Sequence, residues 1–561
     1  LAEAFDLNVM YPENQAAGIA ANRDGEIMCK AAEDLGFDND ICGYARISLA
    51  YAAGKRASRK VDLETGEYVI NPNSGKPLKD ENGNVVIDPE TGKPKKDPKT
   101  MQPYTVLDDI YEIEALPEGR EKELRKAAIK PYRQMQMPQP DFMLCCNNIC
   151  NCMTKWYENI ARMRNIPLIM IDIPYNNTVD VHDTNVAYVR AQFDSAIKQL
   201  EELTGKKFDE KKFEQACANA NRTAQAWLRV CDYLQYKPSP YSGFDLFNHM
   251  ADVVTARGKV AAAEAFELLE KDLEEAVKNG TSTTPFPEKY RVMFEGIPCW
   301  PKLPNLFKPL KEHGVNVTAV VYAPAFGFVY NNMDEMVRAY YKAPNSVCIE
   351  QGVDWREGIC RDNKVDGVLV HYNRSCKPWS GYMAEMQRRF TKDLGVPCAG
   401  FDGDQADPRN FNEAQYETRV QGLVEAIQKK LYDATGKHVE VMVYGDGAFK
   451  DPVGKIWELA DPVVSPAYTA GLEGTPNELK LKYLADNDFA GLDGEELRQA
   501  IKGRIAAKDG SSLVGNMVSE GTTPRRLTDL IGSLCDLTSG SGDKGTPIVY
   551  IQGYFDNYTN D

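Results

Sequence analysis

The stretch DFMLCCNNICNCMTKWYENIARMRNIPLIMIDIP, at residues 141–174, decides the fold of this chain. It opens with a short apolar run typical of a buried strand, continues with an amphipathic segment, and closes with a second apolar run. A strand, a helix and a strand within about 30 residues predict a parallel βαβ unit. Cysteines lie where the first strand ends, and open parallel sheets bind their ligands at that edge.

A second stretch, VDGVLVHYNRSCKPWSGYMAEMQRRFTKDLGVPCAGFDGDQ at 365–405, has the same plan. In each stretch a strand follows an Asp, a cysteine marks its carboxyl end, and a helix leads to a strand that ends in Asp. The repetition predicts an α/β fold with two parallel-sheet domains of related topology, of the Rossmann or flavodoxin type. Each domain would offer a cysteine from a loop at the carboxyl edge of its sheet.

The chain divides into six segments around these two stretches. Residues 55–130 contain Gly and Lys-Pro turns with few apolar residues, so we expect a polar arm of surface hairpins without a catalytic role. Long amphipathic patterns predict a helical region at 191–285. The predicted segments are an N-terminal helical segment with the first cysteine (1–54), the polar arm (55–130), the first α/β core (131–190), the helical region (191–285), the second α/β domain (286–431) and a Gly/Thr-rich α/β module (432–561).

Composition narrows the class of protein. The chain has 561 residues, of which 43% are hydrophobic, so it can form several cores. Its net charge of −16 argues against a nucleic-acid surface, which requires basic patches. The sequence contains no run of about 18 apolar residues, so we expect no membrane span. The first ten residues also lack the pattern of a secretory signal. We therefore expect no nucleic acid and no membrane among its partners.

The 14 cysteines indicate metal ligation in a reducing compartment rather than a disulfide framework. An iron–sulfur cluster needs thiolates, and since no C-x2-C run occurs, its ligands must converge from distant loops. The candidates are Cys42, Cys150 and Cys376, because each precedes a helical segment whose first N–H groups stabilise a thiolate. Three ligands would leave one iron open to substrate. Spacing alone leaves three neighbouring alternatives in the second loop: Cys145, Cys146 and Cys152.

Three segments carry a family resemblance: YPENQAAGIAANRDGEIMCKAAEDLGFDNDICGYARISLAYAAG (11–54), CCNNICNCMTKWYENIARMRNIPLIMIDIPYN (145–176) and HYNRSCKPWSGYMAEMQRRF (371–390). They resemble alpha subunits of (R)-2-hydroxyglutaryl-CoA dehydratases, in the 2-hydroxyacyl-CoA dehydratase and benzoyl-CoA reductase superfamily. The resemblance runs from residue 1 to about 431. In that family three cysteines per subunit bind a [4Fe-4S] cluster, and the matching positions here are Cys42, Cys150 and Cys376.

The resemblance implies a cytoplasmic lyase of anaerobic glutamate fermentation. Such an enzyme eliminates water from (R)-2-hydroxyglutaryl-CoA to give (E)-glutaconyl-CoA through a ketyl radical. It also implies a heterodimer with a homologous beta subunit and an ATP-dependent iron–sulfur activator protein. FMN in the partner subunit is a further candidate cofactor, although the sequence does not fix which subunit would hold it. Three alternatives stay open: a ring-reducing subunit of the benzoyl-CoA reductase type, a non-catalytic partner subunit, and a ligase role of the tail.

Further residues near these motifs are candidates for the site. Glu13 is our hypothetical base, and its alternative role is that of a helix-start carboxylate. His371, five residues before a predicted ligand, is a candidate for contact with the acyl-CoA ester or the cluster, although a strand-end histidine is often only hydrogen-bonded. The remaining candidates are two cations that would stabilise a reduced cluster and two hydroxyl donors: Arg46, Lys377, Ser375 and Ser380.

The tail has a separate resemblance. VMVYGDGAFKDPVGKIWELADPVVSP and GTTPRRLTDLIGSLCDLTSGSGDKGTPIVYIQGYFDN resemble the carboxyl portion of coenzyme F420-0:glutamate ligase-like proteins. Members of that family use acidic groups to bind a divalent metal beside a nucleotide phosphate. Asp446, Asp451 and the Gly-rich loop 539–545 are the matching candidates. The amino half of such a ligase has no counterpart here, so we do not expect independent ligase activity.

Overall fold

The computed structural model describes residues 1–80, 83–89, 91–130, 140–435, 441–444 and 549–552. The chain divides into two units, Leu1–Ile427 and Gln428–Asp561. The first unit contains both of the predicted α/β stretches. Within the described residues, no helix is both long and apolar enough to cross a membrane.

Three short helices open the first unit: α1 (Pro12–Ala21), α2 (Gly25–Asp34) and α3 (Gly43–Ala52). Every residue of α3 is buried, and most of its side chains are apolar. Alanines such as Ala45 and Ala50 let neighbouring helices approach α3 closely, because they add little side-chain bulk. This packing fixes the loop that precedes α3, which carries Cys42.

The polar arm leaves and returns through an antiparallel pair, β1 (Lys55–Arg59) and β2 (Thr105–Asp109). Two helices follow it: α4 (Ile110–Ala115) and α5 (Arg120–Ala128). Isolated antiparallel bridges, among them Val61 with Tyr68 and Ile87 with Pro94, place hairpins between the two strands. The turns that the sequence shows therefore do form hairpins.

The predicted βαβ unit is present in the first stretch: β3 (Met143–Cys146), α6 (Asn151–Arg164) and β4 (Leu168–Ile171), with β3 and β4 parallel. Asn165, in the left-handed conformation at φ 52°, ends α6. Among the described residues this sheet has two strands, so it is smaller than a full domain of the predicted type.

Four long helices form the helical region: α7 (Asp183–Thr204), α8 (Glu210–Asp232), α9 (Gly243–Thr255) and α10 (Val260–Asn279). A capping box between Ser242 and Asp245 starts α9, since each side chain accepts an N–H that the first turn leaves free. Gly280 ends α10 at φ 64°, as its position after the amphipathic run predicts.

The second sheet has four parallel strands in the order β6-β5-β7-β8. Its elements are β5 (Tyr290–Glu295), α11 (Leu303–Glu312), β6 (Val315–Val320), α12 (Met333–Tyr341), α13 (Ile349–Asp362), β7 (Gly367–Asn373), α14 (Lys377–Ser380), α15 (Met383–Arg389), β8 (Cys398–Gly403) and α16 (Glu413–Thr435). The central strands are buried almost throughout, as helices on both faces require. The α/β class is confirmed, and the second stretch forms the predicted strand, helix and strand.

The second unit is described at two strands, β9 (Val441–Tyr444) and β10 (Val549–Gln552), which pair in parallel. They coincide with the apolar runs at the two ends of the Gly/Thr-rich module.

Candidate active site

A cavity of about 1250 Å³ lies within the first unit, where the carboxyl edges of both parallel sheets meet the first turns of α1, α3 and α6. Three of its lining residues are the predicted ligands Cys42, Cys150 and Cys376. The structure thus brings to one cavity three thiols that the sequence separates widely.

Each of these three cysteines occupies the N-cap position of a helix: α3, α6 or α14. The Cys150 thiol accepts the Met153 backbone N–H at 3.3 Å. Backbone N–H groups of Ala45 and Trp379 stabilise the thiolates of Cys42 and Cys376 in the same way. First-turn N–H groups favour negative charge, so all three positions suit thiolate ligands.

Without a bound cation these thiols are protonated. Burial raises the pKa of both Cys150 and Cys376 to about 12, and the backbone N–H groups offset this only in part. The pKa of Cys42 is also raised, first by its hydrogen bond with Cys152 and then by burial. Metal binding therefore has to displace protons from these sites.

The second cysteine loop still offers more than one thiol. The Cys152 thiol accepts a hydrogen bond from Cys42, which lowers the pKa of Cys152 to about 7. Cys146 also lines the cavity, and its thiol lies 3.0 Å from the Asn148 Oδ1 atom. Cys145 is buried, and its pKa is raised by burial. Cys150 has the N-cap geometry of the other two candidates, which favours it over these neighbours.

A buried hydrogen-bond network joins the first and third cysteine loops. The Ser375 hydroxyl accepts the Gly43 N–H at 2.8 Å and donates to a carboxylate oxygen of Asp404. The other Asp404 oxygen accepts the N–H groups of Ala406, at 2.8 Å, and Asp407. Ser375, a predicted donor, therefore positions the loops and has no free proton to donate into the cavity.

Gln405 completes this network at the cavity wall. Its Nε2 atom donates to the Cys42 thiol and to the Ser375 hydroxyl, each at 3.3 Å. Its Oε1 atom accepts from Asn373 at 3.3 Å, at the end of β7. The side chain thus connects Cys42 to the second sheet.

We expect Gly43→Ala to loosen the Cys42 loop. A Cβ atom at this position would lie 2.6 Å from Asp404 Oδ1 and 3.0 Å from the Ala406 Cβ atom, so the network must shift. Thermal unfolding under anaerobic conditions should show a loss of about 1–3 kcal/mol. The matched control is Gly422→Ala in α16, where no heavy atom lies within 4 Å and alanine should be neutral or stabilising by up to about 1 kcal/mol. Equal melting temperatures for the two variants would show that the network does not require glycine at position 43.

Glu13 lies in the first turn of α1 and faces the same cavity. Burial raises the pKa of its carboxyl group, and a hydrogen bond of 3.4 Å from the Tyr322 hydroxyl to Oε1 partly offsets this rise. The carboxylate interacts electrostatically with Cys150 and Cys376, which places it near the cysteines. A carboxylate with a raised pKa is suited to accept a proton near neutral pH.

Aromatic side chains form much of the wall between Glu13 and the cysteines. Tyr44 and Tyr157 line the cavity from α3 and α6, while Tyr322 lines it from the loop after β6 and Trp379 from α14. The Tyr322 and Trp379 rings meet edge to face at 5.9 Å. Sequence reasoning missed Tyr322 and Gln405, because each lies two residues beyond a strand without a motif around it.

His371 is not brought to the cavity. It is fully buried in β7, its Nδ1 atom lies 2.6 Å from the Ile297 carbonyl oxygen, and its ring stacks on Phe401 at 4.7 Å. Burial lowers its pKa to about 4, so the ring is neutral at physiological pH. The geometry supports the hydrogen-bonded core role rather than contact with an ester.

Two of the other predicted polar residues also have local partners. Arg46 is buried and pairs with Glu33 at 2.7 Å and Asp407 at 2.9 Å, so its charge stabilises the loops. Ser380 donates to the Cys376 carbonyl oxygen at 2.9 Å. Lys377 is exposed at the first position of α14. The tail candidates Asp446, Asp451 and 539–545 lie outside the described residues.

Fold and site together define an α/β enzyme subunit with cysteines and a carboxylate around one deep cavity. Residues 122–427 match the family described as 2-hydroxyglutaryl-CoA dehydratase, D-component. The chain belongs to this family, as the sequence predicted, and is a subunit of a dehydratase of the hydro-lyase class. Residues 418–553 match the family described as F420-0:Gamma-glutamyl ligase, which agrees with the resemblance of the tail.

Comparison with individual relatives shows the same relationship. The chain is 76% identical to the alpha subunit of (R)-2-hydroxyglutaryl-CoA dehydratase from Acidaminococcus fermentans over 428 residues, which is 76% of this chain and 89% of the relative. It is 45% identical to the alpha subunit of (R)-phenyllactyl-CoA dehydratase from Clostridium sporogenes over 77% of this chain and 87% of the relative. A benzoyl-CoA reductase subunit from Thauera aromatica is 25% identical over 52% of this chain and 72% of that protein.

Proposed function

We propose that this chain is the alpha subunit of an (R)-2-hydroxyglutaryl-CoA dehydratase that uses a [4Fe-4S] cluster. The identity of 76% with the Acidaminococcus fermentans subunit supports the choice of substrate. The observation that carries the proposal is the placement of Cys42, Cys150, Cys376 and Glu13 on one cavity.

The donor set fits a cluster better than a single ion. Among the described residues, no three His, Cys, Asp or Glu side chains are grouped as one metal ion requires. In a cuboidal cluster each thiolate binds a different iron, so the thiols surround the cluster rather than meet at a point. Cys42, Cys150 and Cys376 would hold three irons, each thiolate stabilised by first-turn N–H groups.

The cluster, when bound, would supply one electron and a Lewis-acidic iron to the thioester. Hydroxide would leave the α-carbon first, and Glu13 would then take the proton from the β-carbon so that a carbon–carbon double bond forms. The electron would be given back in the last step, so the net change is the loss of one water. The Tyr322 hydroxyl holds the Glu13 carboxylate in position. Tyr157 and Trp379 line the cavity, where they would flank the reacting atoms and limit access of bulk water.

We further propose a cytoplasmic location, a homologous beta subunit as partner, and an ATP-dependent iron–sulfur activator as the source of the first electron. No disulfide joins the cysteines of the described residues, which suits a reducing compartment. The Acidaminococcus fermentans relative is named as an alpha subunit, which supports a partner subunit here. If a flavin takes part, we place FMN in that partner.

The test is anaerobic turnover of the complete enzyme. The chain should be co-expressed with its beta subunit and activator and supplied with ATP, a reductant and (R)-2-hydroxyglutaryl-CoA. We expect (E)-glutaconyl-CoA and water, together with iron and sulfide near four each per alpha subunit in excess of what the partner binds. If the cluster-loaded enzyme leaves this thioester unchanged, the choice of substrate is wrong. If the folded alpha subunit contains no iron, the proposal as a whole is wrong.

The same assay separates the alternatives. Benzoyl-CoA should not be reduced, and its reduction would favour the ring-reductase type suggested by the Thauera aromatica relative. A non-catalytic subunit would neither bind iron nor affect turnover when its cysteines are replaced. The ligase match at 418–553 is tested by GTP-dependent attachment of glutamate to coenzyme F420-0, which we do not expect.

A further inference from the structure

Arg257 lies on the wall of the same cavity, two residues after the end of α9. Its side chain is half-buried, and its guanidinium carbon lies 5.0 Å from the centre of the Phe328 ring. Stacking on an aromatic ring restricts a guanidinium without neutralising its charge. The position therefore presents a fixed positive charge to the cavity.

No carboxylate of the described residues forms an ion pair with Arg257. Glu3, which lines this part of the cavity, pairs with Lys259 at 3.3 Å. The groups around the guanidinium are phenols: the Tyr330 oxygen accepts a hydrogen bond from it, and Tyr11 and Tyr340 interact with it electrostatically. A half-buried cation surrounded by neutral hydroxyl groups is the arrangement of an anion site.

A series of aromatic side chains connects this cation to the predicted base. Tyr157 interacts with both Glu13 and Tyr11, and Tyr11 interacts in turn with Arg257. All of these residues line one cavity. A ligand can therefore extend from the cysteines, past Glu13, to the guanidinium without leaving the cavity.

We propose that Arg257 binds an anionic oxygen group of the acyl-CoA substrate, with the neighbouring tyrosine hydroxyls as further donors. This inference rests on the proposed function, since that function makes the ligand an acyl-CoA. Two parts of such a substrate carry the required chemistry: the terminal carboxylate of a dicarboxylic acyl chain and the phosphates of CoA. A guanidinium can bind either group through two parallel hydrogen bonds.

The two sources are distinguished with two thioesters that lack the 2-hydroxyl group and cannot lose water. Glutaryl-CoA carries both the terminal carboxylate and the phosphates, whereas butyryl-CoA carries the phosphates alone. Their dissociation constants are measured anaerobically on the complete, cluster-loaded two-subunit enzyme. The variants are Arg257→Gln, Arg257→Lys and, as matched control, Arg222→Gln, whose exposed side chain pairs with Glu267 on the outside of the helical region.

If the carboxylate is the ligand, Arg257→Gln should bind glutaryl-CoA roughly 10- to 100-fold more weakly and bind butyryl-CoA normally. If CoA phosphates are the ligand, both thioesters should lose affinity to the same extent. Arg257→Lys should recover part of the loss because it keeps the charge, which also provides a readout if the glutamine variant folds poorly. Normal affinity of a folded, iron-loaded Arg257→Gln enzyme for both thioesters would overturn the inference, whereas failure of the parent enzyme to dehydrate 2-hydroxyglutaryl-CoA would overturn only the proposed function.

Discussion

Cys376→Ala should remove the iron of the subunit and its activity together. The thiol lies at the N-cap of α14 and lines the same cavity as Cys42 and Cys150, so its loss leaves two of the three proposed ligands. Replacement even of an outer-shell partner costs metal sites roughly 10- to 100-fold in affinity, and loss of a ligand should cost more. Iron analysis and visible absorbance of anaerobically purified enzyme measure the effect.

The matched control is Cys360→Ala. Cys360 is buried in α13, with its thiol 3.4 Å from the Met293 sulfur, and it is not among the residues that line the cavity. This variant should keep its full iron content and lose only about 1 kcal/mol of stability. A Cys376→Ala enzyme with normal iron content and turnover would contradict the assignment of Cys376 as a cluster ligand.

The same measurement decides among the thiols of the second loop. We expect Cys150→Ala to lose iron, while Cys146→Ala and Cys152→Ala keep most of it. The reason is that Cys150 has the N-cap position and accepts the Met153 N–H. Loss of iron in Cys152→Ala with normal iron in Cys150→Ala would transfer the ligand role to the thiol beside Cys42.

Glu13→Gln should lower kcat by about 10²–10⁴-fold while iron content stays normal. The amide keeps the shape of the side chain but cannot accept the β-proton. The matched control is Glu26→Gln in α2, an exposed carboxylate paired with Lys30 at 2.5 Å, which should turn over normally. A Glu13→Gln enzyme with unchanged kcat would exclude this residue as the base.

The pH profile gives a second readout of the same residue. Glu13 must be ionised to act as a base, and its pKa lies above the ordinary value of 4.5 because the carboxyl is buried. Activity should therefore fall as the pH decreases through this raised pKa. Tyr322→Phe removes the hydrogen bond that favours the ionised form, so its acidic limb should move to higher pH. An unchanged pH profile of the Tyr322→Phe enzyme would show that Tyr322 does not influence the proton transfer.

The local pattern of the sequence was enough to predict that Cys42, Cys150 and Cys376 precede helices, while it left Cys145, Cys146 and Cys152 open as alternatives in the second loop. A cysteine between a buried strand and a helix must lie near the N-terminus of that helix. Cys150 has this position after a strand of the first sheet, and Cys376 after a strand of the second. Gly280 likewise ends its helix as predicted. These features depend on short stretches of chain, and their physical causes are local.

Residues whose role depends on distant segments could not be predicted. Gln405 reaches Cys42 only because the loop after β8 packs against the N-terminal helices, and Arg257 reaches the cavity from the end of α9. The direction of His371 was also hidden, because a strand buried on both faces shows no alternation to reveal which side a residue faces.

The hydrogen bond between the first and third cysteine loops connects residues that are synthesised far apart in time. Gly43 and Ser375, which it links, are 332 residues apart along the chain. A ribosome that adds about 5–20 residues per second takes roughly 15–70 s to translate that distance. The first thiol therefore leaves the ribosome long before the third exists, and we expect iron delivery to fail on nascent chains that end before Cys376.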